Sequence, residues 1–200
     1  MNLALFDFDG TITDGDTFSP FLRFAVRPSR IALGGVLAIP CVVAYRLGLI
    51  SAARARPIVA RVGFQGERAD AVRAIGRQYA AEVLPRGLRA QALDRIQWHQ
   101  HQGDTVVVVS ASLDVYLAPW CEAMGVQCIC TELEDRNGRL TGHYRHGDCS
   151  GRAKAQRIRE QYDLSQYSVI YAYGDTSEDQ EMLDLAHRKF YRWEEVKGAP

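Results

Sequence analysis

The chain predicts an α/β protein: a doubly wound parallel sheet interrupted by a helical insertion. Three observations carry this. Short apolar runs read LALF at 3–6, TVVVV at 105–109 and VIYAY at 169–173. Runs of this kind, polar on neither face, suit strands buried on both sides of a sheet. Strands alternate with helical stretches along the chain, which calls for parallel crossovers. Finally, 17–100 is rich in Ala, Leu and Arg with few β-branched clusters, so it inserts helices between the first strand and the second.

In order, 3–8 is a buried strand ending in a polar turn. Within 17–100 the helical pattern breaks at Gly66, Pro85 and Gly87. TVVVV is a central strand because its β-branched side chains fill both faces of a covered sheet. A helix follows at 113–124 and a strand at 126–131. Asn137-Gly138, between LED and RLTGHYR, predicts a tight hairpin, since both residues accept positive φ. A charged helix is expected at 151–162, a helix at 177–187 and a last edge strand at 189–193. The expected division is a core of 1–13 plus 86–200 and a helical cap of 14–85.

The 200 residues can bury one core, and 24 basic residues balance 24 acidic ones. That balance excludes a globally basic nucleic-acid binder. Five cysteines without a repeated spacing argue against a disulfide scaffold. The start, MNLALFDFDG, lacks the basic opening of a signal peptide, so a reducing cytoplasmic location is the expectation. Zero net charge hides an asymmetry. Residues 17–66 hold seven arginines and no acid, which suggests a basic surface that meets an anion, either a phosphorylated substrate or an anionic membrane, the alternative being arginines that simply solvate helices. Within it, 31–45 is uncharged but shorter than a spanning helix and carries Gly34, Gly35 and Pro40. Three readings stay open for it: a buried helix pair, a segment dipping into a bilayer surface, or a span.

Four places carry chemistry. Asp7 and Asp9 follow the first strand, at the carboxyl end where open α/β sheets bind ligands. Alternation puts them on one side, where two carboxylates can share a divalent metal and divide nucleophilic and proton-transfer roles. Ser110 ends TVVVV and can donate to a phosphate oxygen, or cap the next helix. Lys154 is a compact charge suited to phosphate and to carboxylates. Asp175 and Asp179 sit four residues apart after VIYAY, as hard oxygen ligands for Mg²⁺ or as acids at a helix start. His143, His146 and Cys149 lack paired zinc spacing. His99 and His101 end a helix, where they complement its dipole.

Taken together, DFDGT, VVVVSAS, Lys154 and YGDTSED resemble the four motifs of the haloacid dehalogenase (HAD) superfamily of phosphatases, subfamily IB, over nearly the whole chain. The resemblance implies a Rossmann-like core with a helical cap. It implies that Asp7 becomes an aspartyl phosphate while Asp9 moves the proton. Asp7, the backbone carbonyl of Asp9 and Asp175 would bind Mg²⁺ with Asp179 close by, and Ser110 and Lys154 would hold phosphoryl oxygens. Two relatives in the subfamily set the substrate question. Asp16 and Arg61 resemble the amine- and carboxylate-facing pair in the cap of phosphoserine phosphatases, although Ser110-Ala111-Ser112 departs from their Ser-Gly-Gly. The apolar, arginine-rich cap resembles instead the C-type phosphatidylglycerophosphatase, which implies a lipid head-group phosphate and peripheral contact with the inner membrane face. A catalytically dead phosphate- or membrane-binding module is the alternative of another class, and the intact motifs speak against it.

Overall fold

The computed structural model describes residues 1–196, the side chains of 31–38 excepted. Six strands form one sheet, in the order β3-β2-β1-β6-β7-β8. They are β1 (Leu3–Phe6), β2 (Thr105–Leu113), β3 (Gln127–Thr131), β6 (Ile170–Gly174), β7 (Arg188–Tyr191) and β8 (Glu194–Val196). A separate hairpin pairs β4 (Leu133–Arg136) with β5 (Arg139–Tyr144). β1 lies between β2 and β6 and is parallel to both.

Alternation along the central strands divides the core in two. Ala4, Phe6, Val106, Val108, Tyr171 and Tyr173 pack on one face. Leu3, Leu5, Val107, Val109, Ile170 and Ala172 pack on the other. Both faces are therefore apolar, which is why these strands read as continuous hydrophobic runs. The first face is covered by α5 (Ala90–His101) and α6 (Asp114–Met124), and the second by α7 (Arg152–Gln161) and α8 (Gln180–Leu183). The doubly wound prediction holds.

Between β1 and α5 run α1 (Phe18–Ala25), α2 (Pro28–Arg46), α3 (Ala52–Phe64) and α4 (Ala69–Glu82). Helix α2 continues through Pro40, although the prediction had Gly34, Gly35 and Pro40 weakening a helix. Whether 31–45 is buried or meets lipid falls partly outside the described residues, because the side chains of 31–38 are not described. Among the described residues no helix is long and apolar enough to cross a membrane.

Helix α4 packs directly on α6. Gly76 makes this possible: a Cβ there would lie 2.0 Å from the carbonyl oxygen of Val115. A backbone atom cannot swing aside as a side chain can. Gly76→Ala is therefore expected to lower unfolding stability by about 2 kcal/mol or more, in the overpacking range. A denaturation midpoint equal to that of the wild type would contradict this contact.

The Asn137-Gly138 hairpin forms as predicted, with φ of 53° and 75° at the two turn residues. Its place was not predicted. Gly66 N–H donates to Leu140 O at 2.8 Å, Leu140 N–H to Glu67 O at 2.9 Å, and Ala69 N–H to Gly138 O at 2.9 Å. The hairpin thus adds backbone pairing to the α3–α4 connection.

Four local expectations need correction. The helix expected at 177–187 is a tight turn, Ser177–Asp179, followed by the single-turn α8. Thr176 and Asp179 close the first turn as a reciprocal cap. The strand at 188–191 is not the edge, because Arg192 and Trp193 take positive φ and turn the chain into the antiparallel β8. β2 runs four residues past TVVVV, through an irregularity before Leu113, so Ser110 lies within a strand. His99 is buried, with Nδ1 at 2.8 Å from Asp104 Oδ2 and Nε2 at 2.9 Å from the Tyr173 hydroxyl. Burial lowers its pKa, so it serves as a neutral core residue rather than a charge on the helix dipole.

Candidate active site

The site forms at the carboxyl ends of β1, β2 and β6. Asp7 continues the β1 ladder, its N–H donating to Tyr173 O at 2.9 Å. Its side chain falls on the face of Leu3 and Leu5, towards α7. There the buried Lys154 ammonium donates to Asp7 Oδ1 at 2.5 Å and to Asp179 Oδ1 at 2.6 Å. Asp179 uses its other oxygen on its own turn, accepting from the N–H groups of Asp175 at 3.1 Å and Thr176 at 3.0 Å. Asp175 accepts from the Thr11 hydroxyl at 3.2 Å. One oxygen from each of Asp7, Asp175 and Asp179 lies within 4.8 Å of the others.

The electrostatics are lopsided. Burial raises Asp7 and Asp175 above the ordinary carboxylate range, and the neighbouring acids push the same way. Asp179 is held low by Lys154 and its backbone donors despite its burial. The lysine is raised by the two carboxylates it touches, against its own burial. Three converging carboxylates against one ammonium leave uncompensated negative charge, and buried charge of that kind is costly unless paired. Hard oxygen donors so arranged fit Mg²⁺, which takes one or two carboxylates and keeps several waters.

Gly10 lets the chain leave the site. Its φ is +84°, and a Cβ there would sit 2.3 Å from Asp175 Oδ2. This turn also redirects Asp9. Alternation predicted that Asp9 shares a side with Asp7, but the chain has already curled, with Ile12 and Thr13 N–H groups donating to Phe8 O. The Asp9 carboxylate instead accepts from Thr17 N–H at 2.8 Å, the Thr17 hydroxyl at 2.5 Å and the Ser112 hydroxyl at 2.6 Å. Its carboxylate is not one of the converging oxygens. Burial raises its pKa, and these donors oppose the rise. Ser112 in turn accepts from the Tyr116 hydroxyl at 2.8 Å.

Asp7, Asp9, Ser110, Lys154, Asp175 and Asp179 all line one cavity of about 710 Å³. Ser110 is buried, and its hydroxyl oxygen accepts the Ser112 N–H at 3.1 Å. The opposite wall comes from the inserted helices: Phe18, Leu22, Val42, Ala55 and Val59, with Tyr45 and Arg46 beside them. Asp16 also lines the cavity, yet both its oxygens are engaged, accepting from Phe18 N–H at 3.0 Å and Ser19 N–H at 3.1 Å. It caps α1.

Arg61 is not brought to the site. Its stem packs against Gly142 of β5, and its guanidinium meets Gln65 at 3.4 Å. Arg56 reaches the cavity instead, bidentate to Asp148 at 2.9 Å on each arm and 2.9 Å from Glu178. The two arginines are five positions apart on the helix, a rotation of roughly 140°. They therefore point to different faces of α3. Among the described residues His143, His146 and Cys149 form no ligand cluster. Cys149 is buried, and its N–H donates to the Thr131 hydroxyl at 3.0 Å. Sequence reasoning missed Thr17, Ser112, Arg56 and Arg46. Ser112 carried a faint signal, two residues past Ser110. The arginines carried none that separated them from five others in the same segment.

The haloacid dehalogenase-like hydrolase profile matches residues 4–184. The chain belongs to that family. It is 32% identical over 196 residues to protein CicA of Caulobacter vibrioides, covering 95% of this chain and 85% of that one. A crystal structure of a protein of unknown function from Bordetella pertussis superposes with a TM-score of 0.82 at 25% identity, over 95% of this chain and 89% of the other. A substrate-bound phosphoserine phosphatase shares the fold, with a TM-score of 0.67 at 19% identity, over 95% of this HAD chain and 85% of that one. Membership of this hydrolase family and its phosphatase neighbours support a phosphatase enzyme.

Proposed function

We propose that this HAD hydrolase is a Mg²⁺-dependent phosphomonoesterase working through an aspartyl phosphate on Asp7, with a lipid head-group phosphate as its substrate. The observation that carries the chemistry is Lys154 held between Asp7 and Asp179 on the cavity floor, with Asp175 alongside. A carboxylate attacking a phosphate dianion faces charge repulsion, so the site must supply positive charge at the reacting oxygens. Lys154 supplies part of it. Mg²⁺ held by Asp7 and Asp175 would supply the rest by neutralising phosphoryl oxygens.

In the first step an Asp7 oxygen bonds to phosphorus, the ester P–O bond breaks, and the leaving alkoxide takes a proton from Asp9. The raised pKa of Asp9 suits it to hold that proton. In the second step water attacks phosphorus, Asp9 takes a proton from it, and the Asp7–phosphorus bond breaks to release inorganic phosphate. The Thr17 and Ser112 hydroxyls then stabilise Asp9 in its charged form. Ser110 lines the same cavity and would donate to a phosphoryl oxygen.

The wall facing this floor favours the lipid reading. Phe18, Leu22, Val42, Ala55 and Val59 give it an apolar surface, and the expected amine- and carboxylate-reading pair is not in place, since Asp16 caps α1 and Arg61 lies elsewhere. The phosphoserine-like reading on a small phosphomonoester keeps one support, that Asp16 still borders the cavity. The test is phosphate release from phosphatidylglycerophosphate in mixed micelles, beside phosphoserine and para-nitrophenyl phosphate at matched concentration. Hydrolysis of the aryl ester that stops in EDTA and returns with Mg²⁺ is expected, with the lipid preferred over phosphoserine. Activity indifferent to EDTA contradicts the mechanism, and preference for phosphoserine contradicts the substrate.

A further inference from the structure

The turn joining α2 to α3 is exposed and apolar. Leu47 and Leu49 are 68% and 71% exposed, and Ile39 and Val43, two turns and one turn back along α2, are 57% and 48% exposed. With Leu47 they follow a spacing of four, which makes one stripe along the end of the helix. The adjacent face of the same helical end, Val42, Tyr45 and Arg46, lines the cavity. A run of exposed aliphatic side chains therefore stands directly beside the opening to Asp7. Soluble proteins rarely leave such a contiguous patch without an occupant.

Charge decides the occupant. No acid lies between residues 17 and 66, and Arg23, Arg27, Arg46 and Arg54 are exposed among the seven arginines. A second copy of this chain, meeting the patch face to face, would set these exposed arginines against one another. An anionic bilayer supplies the opposite sign over its whole surface and accepts aliphatic side chains below its head groups. We propose that the α2–α3 tip, residues 39–49, docks on an anionic lipid surface and sets the cavity mouth against it. Arg46 faces the cavity and has no hydrogen bond or ion pair among the described residues, so it meets the head group as it enters. The docking rests on this surface alone. Its consequence, that the substrate arrives from the lipid, rests on the phosphatase reading above.

The test uses the full chain and vesicles of about 30 mol% phosphatidylglycerol in phosphatidylcholine, a composition that sets a negative surface potential. Wild type is expected to co-sediment with these vesicles, and less so with pure phosphatidylcholine or in high salt. Leu47→Glu/Leu49→Glu is expected to weaken partitioning by about tenfold or more. Para-nitrophenyl phosphate hydrolysis without lipid should stay within about twofold of wild type, because neither leucine lines the cavity. Leu49→Trp gives a second readout, an emission blue shift only with anionic vesicles. Absent wild-type binding, equal binding by the double variant, or unshifted emission from the Leu49→Trp variant overturns the proposal. So does a wild-type dimer that the double variant dissolves, since the tip would then be a contact between copies. Failure of aryl phosphate hydrolysis in wild type would strike the phosphatase reading alone and leave the vesicle result standing.

Discussion

Asp7→Asn is expected to lower Mg²⁺-dependent aryl phosphate hydrolysis by about 10³-fold or more, the scale on which loss of a covalent nucleophile acts. The amide keeps the shape of the side chain but cannot bond to phosphorus and leave again as a carboxylate. Lys154 would still hold Asp179 at 2.6 Å, so the fold should persist. Two readouts separate chemistry from stability. Steady-state turnover measures the first, and a denaturation midpoint close to that of the wild type establishes the second. Acid-quenched reactions with labelled substrate should trap phosphate on the wild-type protein and none on the variant. A variant that turns over at a comparable rate would remove Asp7 from the mechanism and leave Asp9 or Asp175 as the candidate nucleophile.

Lys154→Met is expected to be the most destabilising single change in the site. The ammonium is fully enclosed and touches two carboxylates. Removing one partner of a buried ion pair typically costs about 3–5 kcal/mol, because the other charge is left without compensation. The sign with pH follows from the shifts. The lysine's raised pKa means that its contribution is complete below its ordinary value of 10.5, so wild type loses none of it at neutral pH. In the variant, Asp7 has lost the cation that opposed its burial, so it takes up a proton more readily. The penalty should therefore be largest in alkaline buffer and shrink as pH falls. Added Mg²⁺ should recover part of it by restoring positive charge. Urea titrations at several pH values, with EDTA or with Mg²⁺, check all three directions. A variant as stable as wild type in EDTA at alkaline pH would show that the two carboxylates are not both ionised around this lysine.

The strands and the core motifs were legible for a physical reason. A strand covered on both faces must be apolar at every position, so LALF, TVVVV and VIYAY stand out without any knowledge of their neighbours. A charged residue directly after such a run is left at the sheet's carboxyl edge, which made Asp7, Asp9 and Asp175 visible. Asn137-Gly138 was legible because a two-residue turn makes its conformational demand locally. Lys154 was weaker, since a lysine in a charged helix looks like any solvated lysine until the helix is docked.

Which cap residues face the site was not legible. Arg56 and Arg61 have the same chemistry and the same local context, and only the docking of α3 between the cavity and the β4–β5 hairpin separates them. That hairpin lies more than seventy residues downstream, and no local signal announces that it pairs with residues 66–69. The direction of Asp9 was likewise set by a turn at Gly10 and by donors on Thr17 and Ser112, which come from two other elements. The sequence by itself determined which strands are buried, the turn chemistry and the residue types offered for catalysis, because backbone conformation and hydrophobic burial act over a few neighbouring residues. Tertiary structure alone decided which cation meets which carboxylate and which apolar face stays bare, because those depend on distances between segments that are remote along the chain.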